Sequence, residues 1–118
     1  MASNAEALDY QAVLERCMGK RDLANRLIGK FLDNLDGEVA RIKRFLKEQD
    51  WTEASQAAHK VKGAAAVLEA KRLRACLEDL EHDLREGVAV DVGAVTTRLD
   101  QTSREYRDAA EAMLQDRA

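Results

Sequence analysis

His59, Lys62 and Gly63 lie within one helical turn of each other in the stretch Ala57-Ala58-His59-Lys60-Val61-Lys62-Gly63-Ala64-Ala65-Ala66-Val67-Leu68. The apolar residues Ala54, Ala57, Ala58, Val61, Ala65 and Leu68 recur at helical spacing and define one buried stripe. At ~100° per residue, His59 falls well off that stripe, on the outward face. Its neighbours one turn away are Ser55, Lys62 and Gly63, and Ala66 follows along nearly the same line. An outward imidazole ringed by small side chains is a nucleophile that another molecule can reach, because the ordinary imidazole pKa of about 6.5 leaves most rings neutral at cellular pH. Lys62 places a positive charge where an anion carried by that ring would meet it. Gly63 is less favourable than Ala in mid-helix by roughly 1 kcal/mol, and it clears the space over the ring.

The run His59-Lys60-Val61-Lys62-Gly63-Ala64-Ala65 resembles the signature of histidine-containing phosphotransfer (HPt) domains, His-x-hydrophobic-Lys-Gly-small-small. As length and helix order, the resemblance extends from about Leu8 to about Met113. One departure is visible: the family often has Gly-Ala after the motif, and this chain has Glu69-Ala70.

The resemblance implies a phosphorelay carrier of two-component signal transduction. His59 takes a phosphoryl group from an aspartate of a receiver domain and passes it to another receiver aspartate. Phosphoryl transfer needs mostly alignment and charge neutralisation, and in this family the receiver supplies the metal ion, expected to be magnesium, and the acceptor aspartate. The chain then needs no cofactor and no kinase activity of its own. Lys62 is the candidate for stabilising the phosphoryl oxygens and Gly63 for steric clearance. Ser55, Gln56, Lys60 and Ala66 are the candidates for docking the partner. Glu81, flanking the Leu77-Leu80-Leu84 stripe, sits about where the family can place a polar residue that hydrogen-bonds the imidazole and fixes its tautomer. The implied partners are response-regulator receivers, with a hybrid histidine kinase as a further one, and the implied state is a monomer. Two other readings are a helical module that docks receivers or kinases without accepting phosphate, and a plain structural bundle.

The composition narrows the alternatives. A chain of 118 residues with 46% hydrophobic and 35% charged residues is one globular domain, taken here as residues 1–118. It has no proline, only 4% aromatic residues, and much Ala, Leu, Glu, Lys and Arg, which argues an all-α fold. The net charge is −3, with 19 basic residues interspersed among 22 acidic ones, so nucleic-acid binding is not expected. No apolar run approaches the length of a membrane span. Residues 1–7 read as a disordered tail or an expression scar, and Met1-Ala2-Ser3-Asn4-Ala5-Glu6 lacks the basic and apolar regions of a signal peptide. Cys17 and Cys76 fall at apolar helical positions and read as core residues kept reduced, which fits a cytoplasmic protein. A di-metal carboxylate bundle needs Glu-x-x-His pairs; Gln56 precedes His59 and Asp79 precedes His82 at that spacing, so neither fits, and no metal site is expected. His82, between Glu81 and Asp83, reads as a surface residue.

The elements that must position His59 follow from periodicity and caps. Asp9 caps a short helix through about Cys17, with Val13 and Leu14 inward and Met18-Gly19 as its stop. Leu23, Leu27, Phe31, Leu35, Val39, Ile42 and Leu46 then define a long helix from about Arg21 to Gln49, with Gly29 or Gly37 marking any bend. Asp50-Trp51-Thr52-Glu53 is a capping box opening the histidine helix. A slip in the stripe after Leu68 places a turn at Glu69 and Ala70. The next helix runs from about Lys71 to Glu86 and stops at Gly87. Asp91 caps the last helix, with Val92, Val95, Leu99, Thr102, Tyr106, Ala109 and Met113 inward. Short links between four long helices predict an antiparallel up-down-up-down four-helix bundle with a short additional N-terminal helix.

Overall fold

The computed structural model describes residues 7–116. Among the described residues the helices α1 (Tyr10–Arg16), α2 (Arg21–Lys47), α3 (Trp51–Val67), α4 (Lys71–Arg85) and α5 (Val92–Asp116) follow one another, and there is no strand. α2 packs on α3 and α5, α4 packs on the same two helices, and α1 rests against α2. No helix among the described residues is long and apolar enough to cross a membrane.

The expected starts are formed by the expected side chains. Asp9 Oδ1 accepts from the backbone N–H of Ala12 at 3.1 Å, Asp50 Oδ1 from that of Glu53 at 3.3 Å, and Asp91 Oδ1 from that of Ala94 at 3.0 Å. Each bond satisfies a first-turn N–H that has no partner within its helix. α4 has no such bond: its N-cap is Ala70, which is fully buried. α2 runs without interruption through Gly29 and Gly37, so neither glycine marks a break.

The end of α3 decides where the histidine helix stops. Glu69 takes a φ of +56°, a left-handed conformation that costs most residues other than glycine roughly 1–2 kcal/mol. The helix closes there with bonds from the N–H of Ala70 to the carbonyl of Ala65 at 2.9 Å and from the N–H of Glu69 to that of Ala66 at 3.4 Å. This is the Schellman pattern, made without glycine. Three further contacts hold it. The Glu69 carbonyl accepts from the N–H of Asp9 at 3.3 Å, and the Glu69 carboxylate pairs with Arg16 Nε at 3.1 Å. Tyr106 Oη donates to the carbonyl of Leu68 at 3.1 Å. Burial pushes the Tyr106 phenol far above its ordinary pKa, so the hydroxyl stays a donor.

The core follows the stripes with one rotation. On α2 the buried residues are Ala24, Ile28, Phe31, Leu32, Leu35, Val39, Ile42 and Leu46. Leu23 and Leu27, expected inward, are half-buried and 37% exposed respectively. An i, i+4 ladder turns by about 40° per step away from a straight line, so its N-terminal members swing to the flank and Ala24 and Ile28 take their places. Leu14, Val92, Val95 and Met113 are likewise only partly buried against the core. Cys17 and Cys76 are free and buried as expected, and burial pushes the Cys76 thiol up. The tail expected over residues 1–7 lies outside the described residues for 1–6, but it does not include Ala7. Ala7 and Leu8 are buried in the core, where Asp9 anchors them against the α3–α4 turn.

α3 contributes mostly alanine to this core: Ala54, Ala57, Ala58 and Ala65, with Val61. Such short side chains let neighbouring backbones approach, and α3 and α4 share the most extensive contact of any helix pair. That closeness brings side chains of α4 within reach of those on the outer face of α3.

Candidate functional site

His59 stands on the outward face of α3 with its side chain 72% exposed. The alanine stripe on the opposite side is what turns it there. Across the α3–α4 interface, Glu81 Oε2 lies 3.1 Å from His59 Nδ1. The Glu81 side chain is only 13% exposed, and its second oxygen, Oε1, lies 2.8 Å from Lys62 Nζ. That second contact is a close ion pair on a buried oxygen, and Lys62 is the partner that compensates it. Burial pulls the Glu81 carboxyl up, but Lys62 and His59 beside it outweigh this together and hold it below its ordinary value. A carboxylate only accepts, so the facing Nδ1 must carry the proton. The lone pair of the ring is thereby assigned to Nε2.

Of the residues singled out by sequence, the structure brings His59, Lys62 and Glu81 together. The Lys62 side chain is 27% exposed and ion-paired in this state. A Cβ added at Gly63 would meet nothing within 4 Å, so this glycine serves no helix–helix packing and leaves open space one turn from the ring. Gln56 and Lys60 are exposed, and Ser55 and Ala66 are half-buried. Lys60 turns away from the Lys62 side and pairs with Glu38 of α2 at 3.1 Å. His82 is exposed, as expected, beside Arg85.

Periodicity did not reveal a cleft of about 470 Å³ between α2 and α3, beside Lys60. Leu27, Phe31, Val61, Ala64, Val67 and Leu68 make its apolar wall, and Lys30, Asn34, Glu38 and Lys60 line it with polar groups. Leu27 and Val67, at 37% and 51% exposure, are apolar surface left uncovered at its edges. The only sequence trace of it is the apolar Val67 lying beyond the α3 stripe. Glu38 carries no sequence signal, since nothing in the spacing connects it with Lys60. Among the described residues no group of three or more His, Cys, Asp or Glu side chains could hold a metal ion.

The arrangement offers one accessible nucleophilic nitrogen, a fixed proton on the opposite nitrogen and a cation within reach. The family model described as the Hpt domain matches residues 26–116, which include every residue of this site and leave α1 outside. No curated protein and no solved structure gives a significant match.

Proposed function

The chain belongs to the Hpt domain family, and from that premise we propose that it is a phosphorelay carrier that accepts a phosphoryl group on His59 from a receiver aspartate and passes it to another. The observation that carries this reading is the ring itself: Nδ1 is engaged by Glu81 while the ring is 72% exposed. In the transfer, the Nε2 lone pair forms a bond to phosphorus as the phosphorus–oxygen bond to the aspartate breaks, releasing the carboxylate. The proton stays on Nδ1, where Glu81 accepts it throughout. Neutral imidazole is therefore both the attacking and the leaving group, and no base has to be recruited.

The remaining roles follow from position. Lys62 neutralises phosphoryl charge, and Gly63 leaves room for the receiver to approach. Ser55, Gln56, Lys60 and Ala66 form the docking rim, extended by the apolar cleft between α2 and α3. The receiver brings the magnesium ion, and the chain contributes a positioned ring. Hpt domains are carriers rather than kinases, so no nucleotide site is invoked. We take the helices as an antiparallel up-down-up-down bundle in one domain, acting as a cytoplasmic monomer. The topology is supported by ion pairs whose order reverses between helices: Asp36–Arg107 and Lys43–Asp100 between α2 and α5, and Arg72–Glu105 and Asp79–Arg98 between α4 and α5.

The test is to mix the protein with phosphorylated receiver domains and magnesium and assay acid-labile, base-stable phosphate. Label is expected on the wild-type chain and absent from His59→Gln. A His59→Gln chain that accepts phosphate equally well overturns the assignment. Receiver binding without any transfer replaces it with the docking-only module.

A further inference from the structure

We propose that Lys62 is a transferable charge: Glu81 holds its ammonium group in the resting protein and gives it up to the phosphoryl group when His59 is modified. The inference rests on His59 being the phosphoryl acceptor. It concerns what happens around the ring once the acceptor is loaded.

In the resting state one carboxylate serves two partners, His59 Nδ1 through Oε2 at 3.1 Å and Lys62 Nζ through Oε1 at 2.8 Å. The two partners are not alike. Oε2 meets an imidazole whose ring is carried close to the α3 backbone, whereas Oε1 meets an ammonium at the end of a long side chain. The Lys62 contact is thus the one whose donor sits on a flexible stem and can move while the helix stays in place. Lys60, the other lysine beside His59, is tied to Glu38 at 3.1 Å on the α2 side. Lys62 is therefore the cation that shares both the helical face of His59 and the carboxylate bound to it.

Charge accounting shows why the exchange can run both ways. Before transfer the cluster contains a carboxylate, an ammonium and a neutral ring. When the Nε2 lone pair bonds to phosphorus, Nδ1 keeps its proton and the ring becomes cationic, next to a phosphoryl group that carries about −1.5 to −2. Glu81 then faces a new positive charge on the ring through Oε2. The phosphoryl group is a stronger anionic partner for Lys62 than a single carboxylate that already has another cation. Losing Lys62 without that compensation would strand a buried carboxylate oxygen, which is costly. One cation leaves Glu81 as another appears beside it. On return transfer the ring loses its charge and Glu81 recaptures Lys62.

The test uses the full chain and phosphoramidate, a small donor that phosphorylates histidine without a receiver. Phosphorus NMR reports loading of His59, and nitrogen-detected NMR follows the ammonium groups of Lys62 and Lys60. Wild-type and Glu81→Gln proteins are compared, because glutamine keeps an acceptor for Nδ1–H but removes the charge that holds Lys62. In the resting proteins the Lys62 resonances are expected to differ between the two, while the Lys60 resonances coincide. After phosphorylation the Lys62 resonances are expected to converge, since Glu81 no longer holds the ammonium in either protein. Phosphorylated proteins whose Lys62 resonances stay as far apart as the resting ones overturn the handover while leaving the relay reading standing. Absence of phosphohistidine in the wild-type chain, under conditions that phosphorylate free histidine, overturns the relay reading and this inference with it.

Discussion

Glu81 Oε2 and His59 Nδ1 stand 3.1 Å apart across the α3–α4 interface, although they are 22 positions apart in the chain. The contact selects a tautomer. An ionised carboxylate has nothing to donate, so it fixes the proton on Nδ1 and leaves Nε2 as the nucleophile. Because Glu81 is largely buried while the ring is exposed, the anchor is rigid and the reactive nitrogen is free.

Replacement of His59 by glutamine is expected to abolish phosphate acceptance and leave the bundle intact. The exposed ring adds little to folding, so the stability change should stay under about 1 kcal/mol. Receiver-dependent labelling and urea unfolding of the same preparation check both halves of the statement.

Lys62→Ala should slow transfer and also weaken the fold. Without the ammonium, the buried Oε1 of Glu81 loses its counter-charge, at a cost of about 1–3 kcal/mol. Transfer is expected to fall about tenfold, less than the ~10²–10³ lost on removing an enclosed oxyanion donor, because this site is open to water. Stopped-flow transfer rates and unfolding midpoints measure the two effects. An unchanged midpoint would show that the ion pair carries no stability.

Gly63 separates stability from access. Gly63→Ala should stabilise α3 by about 0.5–1 kcal/mol, since the added Cβ meets nothing within 4 Å, and transfer should continue. Gly63→Gln should retain the helix and block the receiver. Thermal melts paired with transfer assays distinguish the two; a Gln variant that transfers at the wild-type rate would remove the clearance role.

The acid dependence of stability should pass through Glu81. Its folded-state pKa is held below the ordinary value, against the pull of burial, by Lys62 and His59. A depressed carboxyl stabilises the fold above its unfolded pKa of about 4.3 and loses that contribution as pH falls through the lower folded value. The stability gap between wild type and Glu81→Gln is therefore expected to be full at neutral pH and to close in the acid range below about pH 4.3. Urea unfolding across that range measures it, and a gap that widens on acidification would contradict the assignment.

Glu69 occupies a left-handed position with φ +56°. Glu69→Gly relieves a conformational cost of about 1–2 kcal/mol and gives up an ion pair with Arg16 worth about 0–1 kcal/mol. The expected outcome is a neutral to slightly more stable protein, whereas Glu69→Ala keeps the strain, loses the pair and should be less stable than wild type. Chemical denaturation of the three chains orders them.

Much of the scaffold was legible because helical order is local. The stripe Ala54, Ala57, Ala58, Val61 and Ala65 places His59 outward through 3.6-residue periodicity alone, and Asp9, Asp50 and Asp91 announce helix starts because the cap bonds span three residues. A slip in the apolar stripe marks the turn at Glu69. What stabilises it was hidden, because Arg16, the N–H of Asp9 and the hydroxyl of Tyr106 come from other parts of the chain. Leu27 lies 37% exposed rather than inward, because a ladder of every fourth residue precesses around a straight helix, and which flank it reaches depends on the neighbour it meets.

The sequence by itself determined the all-helical class, the helix starts and the outward histidine with its lysine and glycine, since each of these depends on residues a turn or less apart. Only the tertiary structure decided that Glu81 grips both His59 and Lys62, that Lys60 belongs to Glu38, and that an apolar cleft lies open beside them. Those pairings depend on the distance and rotation between helices. Here the alanine-rich face of α3 sets that distance by letting α4 come close, and no periodicity along a single helix contains it.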